Sequence, residues 1–196
     1  MSAHVTLGLP GDLAGFPATR APARIHRVCQ AIHGTWWFCS DGAGRFDLAA
    51  PEGTCYFATD GWAAIREASR LGPVTPQWVG ARDIREVSVP RRYRRLAAAT
   101  WKAAGRFGVT AELGTLVPYD LPRRWAAAFR AHGFGGIRHM LRHDPRSRAT
   151  GVSLFDAEGP APHPDGRRTT LDVAVVRAAG VAVHERPHST VLRILP

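Results

Sequence analysis

The sequence predicts an α+β fold, a single domain in which a mostly antiparallel sheet carries flanking helices. Three observations point there. Short alternating or aromatic runs of strand length recur between Gly, Pro and Asp-Gly breaks. Two longer segments have helical periodicity and caps, and no regular strand–helix alternation or dividing linker interrupts them. The 196 residues are about one domain's length, and 45% hydrophobic content with six tryptophans supplies a core. Residues 1–23, rich in Gly, Pro and Ala, read as an irregular N-terminal arm, and 24–196 as the folded domain.

"RIHRVCQAI" (24–32) alternates as a strand, and "TWWFCS" (35–40) and "GTCYFAT" (53–59) are aromatic runs suited to buried strands. The Asp60-Gly61 turn then opens a helix, with Thr59 or Asp60 able to accept from its first backbone N–H groups. Ala64, Ile65, Ala68 and Leu71 share one side of it, Arg66 and Arg70 the other, and Glu67 lies at the border. "DIREVSVP" (83–90) alternates again. Asp120 is expected to cap a second helix, with Pro122 in its first turn, a stripe of Leu121, Trp125, Ala128 and Phe129, and Gly133 to end it. Strands follow at "GIRHML" (136–141) and "GVSLF" (151–155), then a surface loop over 156–168 and closing strand or helix material.

The formal net charge is +10, with Lys102 the only lysine. Such an excess attracts a nucleic acid, a phosphorylated small molecule or an acidic protein, and by itself does not choose among them. No apolar run approaches the ~20 residues of a membrane helix, and "MSAHVTLGLPGDLAGFP" lacks the basic start and apolar core of a signal peptide, so a cytoplasmic protein is expected. Cys29, Cys39 and Cys55 form no CxxC and read as buried thiols rather than as a disulfide framework or zinc site. His132, His139 and His143 lack an acidic partner at ligand spacing, so no metal site is expected.

Phosphate-loop, HExxH and GxSxG motifs are absent, and "GLPGDLAG" at 8–15 lacks the strand and helix of a dinucleotide fingerprint. "PRRYRR" (90–95) is either a solvated edge or a patch that tracks a phosphate backbone while Tyr93 stacks on a base.

Arg45, Tyr56 and Glu67 stand eleven residues apart. Around them, in order, come "HRV" (26–28), "WWF" (36–38), "GRFDL" (44–48), "GTCYFA" (53–58), "RFGVT" (106–110), "YDLPRRWAAAF" (119–129), "GFGGIR" (133–138) and "SLF" (153–155). This set, spanning about two-thirds of the chain, resembles the RES-domain family of NAD-consuming enzymes, often toxins of toxin–antitoxin pairs. The resemblance implies an ADP-ribosyltransferase-like fold, with NAD as substrate and no separate cofactor. It further implies attack on the nicotinamide–ribose bond with phosphate as acceptor, releasing nicotinamide and ADP-ribose 1''-phosphate. Arg45, Tyr56 and Glu67 match the family's arginine, aromatic residue and glutamate.

These residue types suit that chemistry. Departure of nicotinamide leaves an oxocarbenium-like sugar, which a fixed carboxylate, Glu67, stabilises. Arg45 offers a planar fork to a phosphate, and Arg27, beside His26, is a second candidate ligand. Tyr56 offers a flat face for nicotinamide and a hydroxyl to orient it. The chain departs from the family in "GIRHMLR", where Leu141 replaces an expected serine and His139 an expected tyrosine. His139, Arg142 or Ser153 are the candidates to take over, or water replaces phosphate as acceptor.

The partners implied are NAD, phosphate and an acidic helix-turn-helix antitoxin; a homo-oligomer is also compatible. The alternative is a catalytically degenerate protein of this fold, binding nucleic acid through "PRRYRR" and the Arg-rich 138–148 segment, or serving as an interaction module.

Overall fold

The computed structural model describes residues 6–144 and 149–185. Its first regular element corrects the reading of 1–23 as irregular: β1 (Ala18–Arg20) is an edge strand. Leu7, Leu13 and Phe16 from the same stretch are buried in the largest core cluster. The partner of β1 lies at residues 95–97, far along the chain, so three local residues carried no legible strand pattern.

The expected strands β2 (Arg24–Gln30), β3 (Trp37–Phe38) and β4 (Glu52–Ala58) follow. Only two residues of "TWWFCS" are strand, because the segment bridges to the main sheet at a single pair, Cys39↔Thr54. Helix α1 (Gly61–Ser69) starts where the Asp60 side chain accepts from Ala63 N–H, and ends in left-handed Arg70. Its polar side is not where periodicity placed it. Arg66 is buried and Ala68 exposed, because the helix is covered from the expected solvent side by residues 143–144 and 179.

After α2 (Pro76–Gly80) come β5 (Arg82–Ser88) and β6 (Arg95–Ala98), separated by a 3-10 turn at Arg91–Tyr93. Tyr93 is 2% exposed, packed near Trp36 and Phe38 with its hydroxyl bound to Asp156, so it has no free face for a base. Helix α3 (Asp120–Ala131) begins one residue earlier than expected; Asp120 is inside it, and Tyr119 at the cap position makes no capping bond. Trp125 and Phe129 fill the core from this helix, and Gly133 ends it with φ +75°.

Strands β7 (Gly136–Met140) and β8 (Thr150–Ala157) match the expectation. The segment read as a loop carries β9 (Gly159–Pro160), and β10 (Arg167–Thr170) begins at its end, before α4 (Val173–Ala178). Pro and Gly disguise β9, which pairs with β3 at the margin.

The main sheet has eight strands in the order β1-β6-β7-β8-β4-β2-β5-β10. All its neighbours are antiparallel except β6 and β7. One junction differs from the rest. Strand β2 pairs with β5 from Arg24↔Ser88 to Gln30↔Arg82, and β4 pairs with β8 along its whole length, but β2 and β4 register only at His26↔Ala58. The sheet splays there, and α1 packs beside the opening. No described helix is long and apolar enough to cross a membrane.

Candidate active site

The loop between β3 and β4 is built around Asp47, which is 4% exposed. Its carboxylate accepts from Gly44 N–H at 2.7 Å and from the Tyr56 hydroxyl at 2.6 Å, and that hydroxyl accepts from Phe46 N–H at 2.8 Å. Burial pushes both proton affinities up, that of Asp47 despite its donors and that of Tyr56 further through the adjacent Asp47 charge. From outside, Arg123 donates to the carbonyls of Gly42 and Gly44. Gly44 itself has no room for a side chain, since a Cβ there would overlap Asp47 Oδ1 and Tyr56 Oη.

This scaffold presents Arg45. Its guanidinium lies 4.6 Å over the Tyr119 ring and donates from Nη1 to Leu116 O. Burial lowers its pKa, offset by Tyr119 and Glu67, while Arg142 adds to the lowering. An arginine so placed stays charged and keeps donors for an anion.

Helix α1 presents Glu67 from the other side. Its Oε1 accepts from His143 N–H at 2.5 Å. Burial raises its pKa; the His143 amide, Arg45 and Arg142 oppose the rise, and Asp144 adds to it. A carboxylate less stable as an anion than usual, held by a backbone donor and facing cations, is poised to meet a developing positive charge.

Between the two lies a cleft of about 360 Å³ over the splayed junction, bordered by Arg45, Tyr56, Glu67, Tyr119, His139 and Leu141. Arg27, Arg45, Arg70 and Arg142 contribute to its walls, whereas Glu67 is the one carboxylate among its described lining residues. By its charges the cleft is suited to an anionic molecule, with a single negative group offered to one part of it.

The other sequence-derived candidates divide. His26 lines the cleft beneath α1, close to Gly61, and Arg142 is exposed at its rim. Arg27 borders it, but Nη1 is taken by the carbonyls of Thr35 at 2.6 Å and Trp37 at 3.1 Å and by Cys55 Sγ. The guanidinium thus ties β2 to the β3 segment. His139 forms the floor: Nδ1–H donates to Met140 O at 2.9 Å, so Nε2 accepts from the Ser153 hydroxyl at 3.0 Å. Burial brings the His139 pKa down to about 4, leaving the ring neutral. Ser153 is fully buried behind it and is not part of the cleft lining. Leu141 packs on the alanine cluster of Ala58, Ala63, Ala64 and Ala149, giving that wall an apolar surface. Tyr56 does not offer a free hydroxyl; both its bonds go to the 44–48 loop.

Residues that sequence reasoning missed are Asp47, Tyr119, Gly44 and the His143 amide. "GRFDL" did contain an acid two residues after the arginine, and Tyr119 precedes the second helix, but neither signals its partner across the fold.

No family model matches the sequence. No curated protein matches it either. Among solved structures, a chain of the M. tuberculosis MbcT–MbcA toxin–antitoxin complex matches with TM-score 0.64 and 11% identity, covering 85% of this chain and 93% of that one. The two chains share a fold.

Proposed function

We propose that this chain is an NAD-degrading enzyme of the RES-domain type, cleaving the nicotinamide–ribose bond with phosphate or water as acceptor. The observation that carries the reading is the single part-buried carboxylate of Glu67, pinned by His143 N–H in an otherwise cationic cleft with Arg45 opposite. In this reading Arg45 and Arg142 hold the pyrophosphate or the acceptor phosphate. Glu67 grips a ribose hydroxyl and stabilises the oxocarbenium-like sugar as the C–N bond breaks and its electron pair leaves with nicotinamide. An acceptor oxygen then closes on the anomeric carbon. The Tyr56 ring borders the nicotinamide side, and its hydroxyl serves to hold the loop that aims Arg45. His139 is a neutral floor and Leu141 a dry wall, which favours water exclusion over hydrogen bonding to the acceptor.

The biological counterpart is the toxin of a toxin–antitoxin pair. Support comes from the fold shared with a chain of a toxin–antitoxin complex and from the net charge of +10, which suits an acidic protein partner.

The test is product identity by mass spectrometry after incubation with NAD, with and without inorganic phosphate. ADP-ribose 1''-phosphate in phosphate and ADP-ribose in its absence would support both acceptors, and Arg45→Ala should abolish either product. Intact NAD under both conditions, from folded protein, would overturn the reading.

A further inference from the structure

Arg66 and Glu67 are neighbours on α1, and His143 and Asp144 are neighbours on the segment after β7. The two pairs meet as two adjacent cross-links. Glu67 Oε1 accepts from His143 N–H, and one residue on, Arg66 Nη2 meets Asp144 Oδ1 at 2.8 Å with side-chain exposures of 9% and 1%. The Asp144 carboxylate also accepts from Ala149 N–H at 3.0 Å, and Arg66 Nη1 donates to Ala179 O at 3.3 Å. The ion pair thereby joins α1 to Asp144, through it to Ala149 beside β8, and to the end of α4.

This arrangement is poorly explained as a stabilising device. Burying an ion pair strips water from both ions, a cost that their mutual attraction often does no more than repay. Among the described residues Arg66 Nε finds no acceptor, which adds an unmet donor to that cost. What the pair does supply is registry: it fixes the distance between the helix that carries Glu67 and the backbone that carries its hydrogen-bond donor.

We infer that Arg66 and Asp144 are positioning residues for Glu67, an internal clamp that holds the His143 N–H against the carboxylate and sets the Leu141–Arg142 wall over the cleft. The effect on catalysis rests on the function proposed above; the clamp itself does not. Its geometry also places the Asp144 charge close enough to oppose ionisation of Glu67, whereas the His143 amide, Arg45 and Arg142 favour it. Arg70, Tyr119 and the His143 ring also line the cleft that holds this carboxylate, while Arg66 on the same helix faces Asp144.

The test compares wild type with Asp144→Asn and with the double variant Arg66→Met/Asp144→Asn. The double variant removes both charges of the Arg66–Asp144 pair together and keeps an acceptor for Ala149, so it should fold better than the single variant, which strands the Arg66 charge. Two readouts are followed: the His143 amide proton shift, identified by its change in Glu67→Gln, and NAD turnover. The expected result in the folded double variant is an upfield His143 amide and a kcat about tenfold to hundredfold lower, with KM within about threefold. An unchanged His143 amide would overturn the clamp, whatever happens to thermal stability, as would a change in KM alone. If wild type turns over no NAD, the functional reading fails while the amide shift still decides the clamp.

Discussion

The Tyr56 hydroxyl donates to Asp47 Oδ1 at 2.6 Å while accepting from Phe46 N–H, and so locks β4 to the loop that carries Arg45. Removing that hydroxyl leaves a buried carboxylate and a backbone N–H each short of a partner. Tyr56→Phe should cost about 1–3 kcal/mol of stability, lowering the melting temperature by about 2–4 °C per kcal/mol. Turnover should fall about tenfold, since the ring stays and only the aim of Arg45 suffers. Thermal denaturation with parallel NAD kinetics checks both parts.

Gly44 sits where any Cβ overlaps the same two oxygens. Gly44→Ala should therefore resemble Tyr56→Phe in stability and activity. The double variant should lose less than the two single losses added together, with a coupling of about 0.5–3 kcal/mol by denaturant titration. Simple additivity would mean that the glycine and the hydroxyl serve separate ends.

Glu67 has its folded-state pKa raised by burial above the ordinary 4.5. The folded protein thus binds that proton more tightly than the unfolded chain, and folding is penalised once the group ionises. The penalty is absent below the unfolded value and fully present above the folded one. Glu67→Gln removes it and keeps an oxygen for His143 N–H. Its melting temperature should exceed that of wild type at pH 7 by a few degrees (about 2–4 °C per kcal/mol), and the two should converge as pH falls below about 4.5. Activity should be lost in the same variant.

His139 shows the opposite sign. Burial lowers its pKa from 6.5 to about 4 in the folded protein, so the unfolded chain binds the proton first. Its contribution is complete above about pH 6.5 and lost as pH falls towards 4. His139→Gln should be less stable at pH 7, because Ser153 and Met140 lose a well-fitted partner, yet its stability should fall less steeply between those two pH values. Denaturant melts at pH 4.5 and pH 7 measure the difference in slope.

Where the sequence was informative, the signal was local. The Asp60 cap and the alternation of β2 and β5 placed those elements to within a residue or two, and the spacing of Arg45, Tyr56 and Glu67 marked three residues that do border one cleft. What stayed hidden depends on partners distant in the chain. Arg66 looked solvated until Asp144 and Ala179 covered it. Arg27 looked like a wholly free phosphate ligand until the carbonyls of Thr35 and Trp37 engaged its Nη1. Strand β1 exists because β6 offers it an edge, and Tyr93 is buried because Trp36 and Asp156 close over it. Local pattern reports a residue's own propensity, whereas burial of a charge is decided by what arrives from elsewhere.

In the proposed function Glu67 works as a fixed carboxylate on the nicotinamide–ribose bond. Nicotinamide release from NAD in phosphate buffer, by wild type and by folded Glu67→Gln, tests it most directly. The account predicts release by wild type and a loss of about hundredfold or more in the variant, the scale expected for removing one preorganised electrostatic group. Equal rates in the two, or no release from folded wild type, would contradict it.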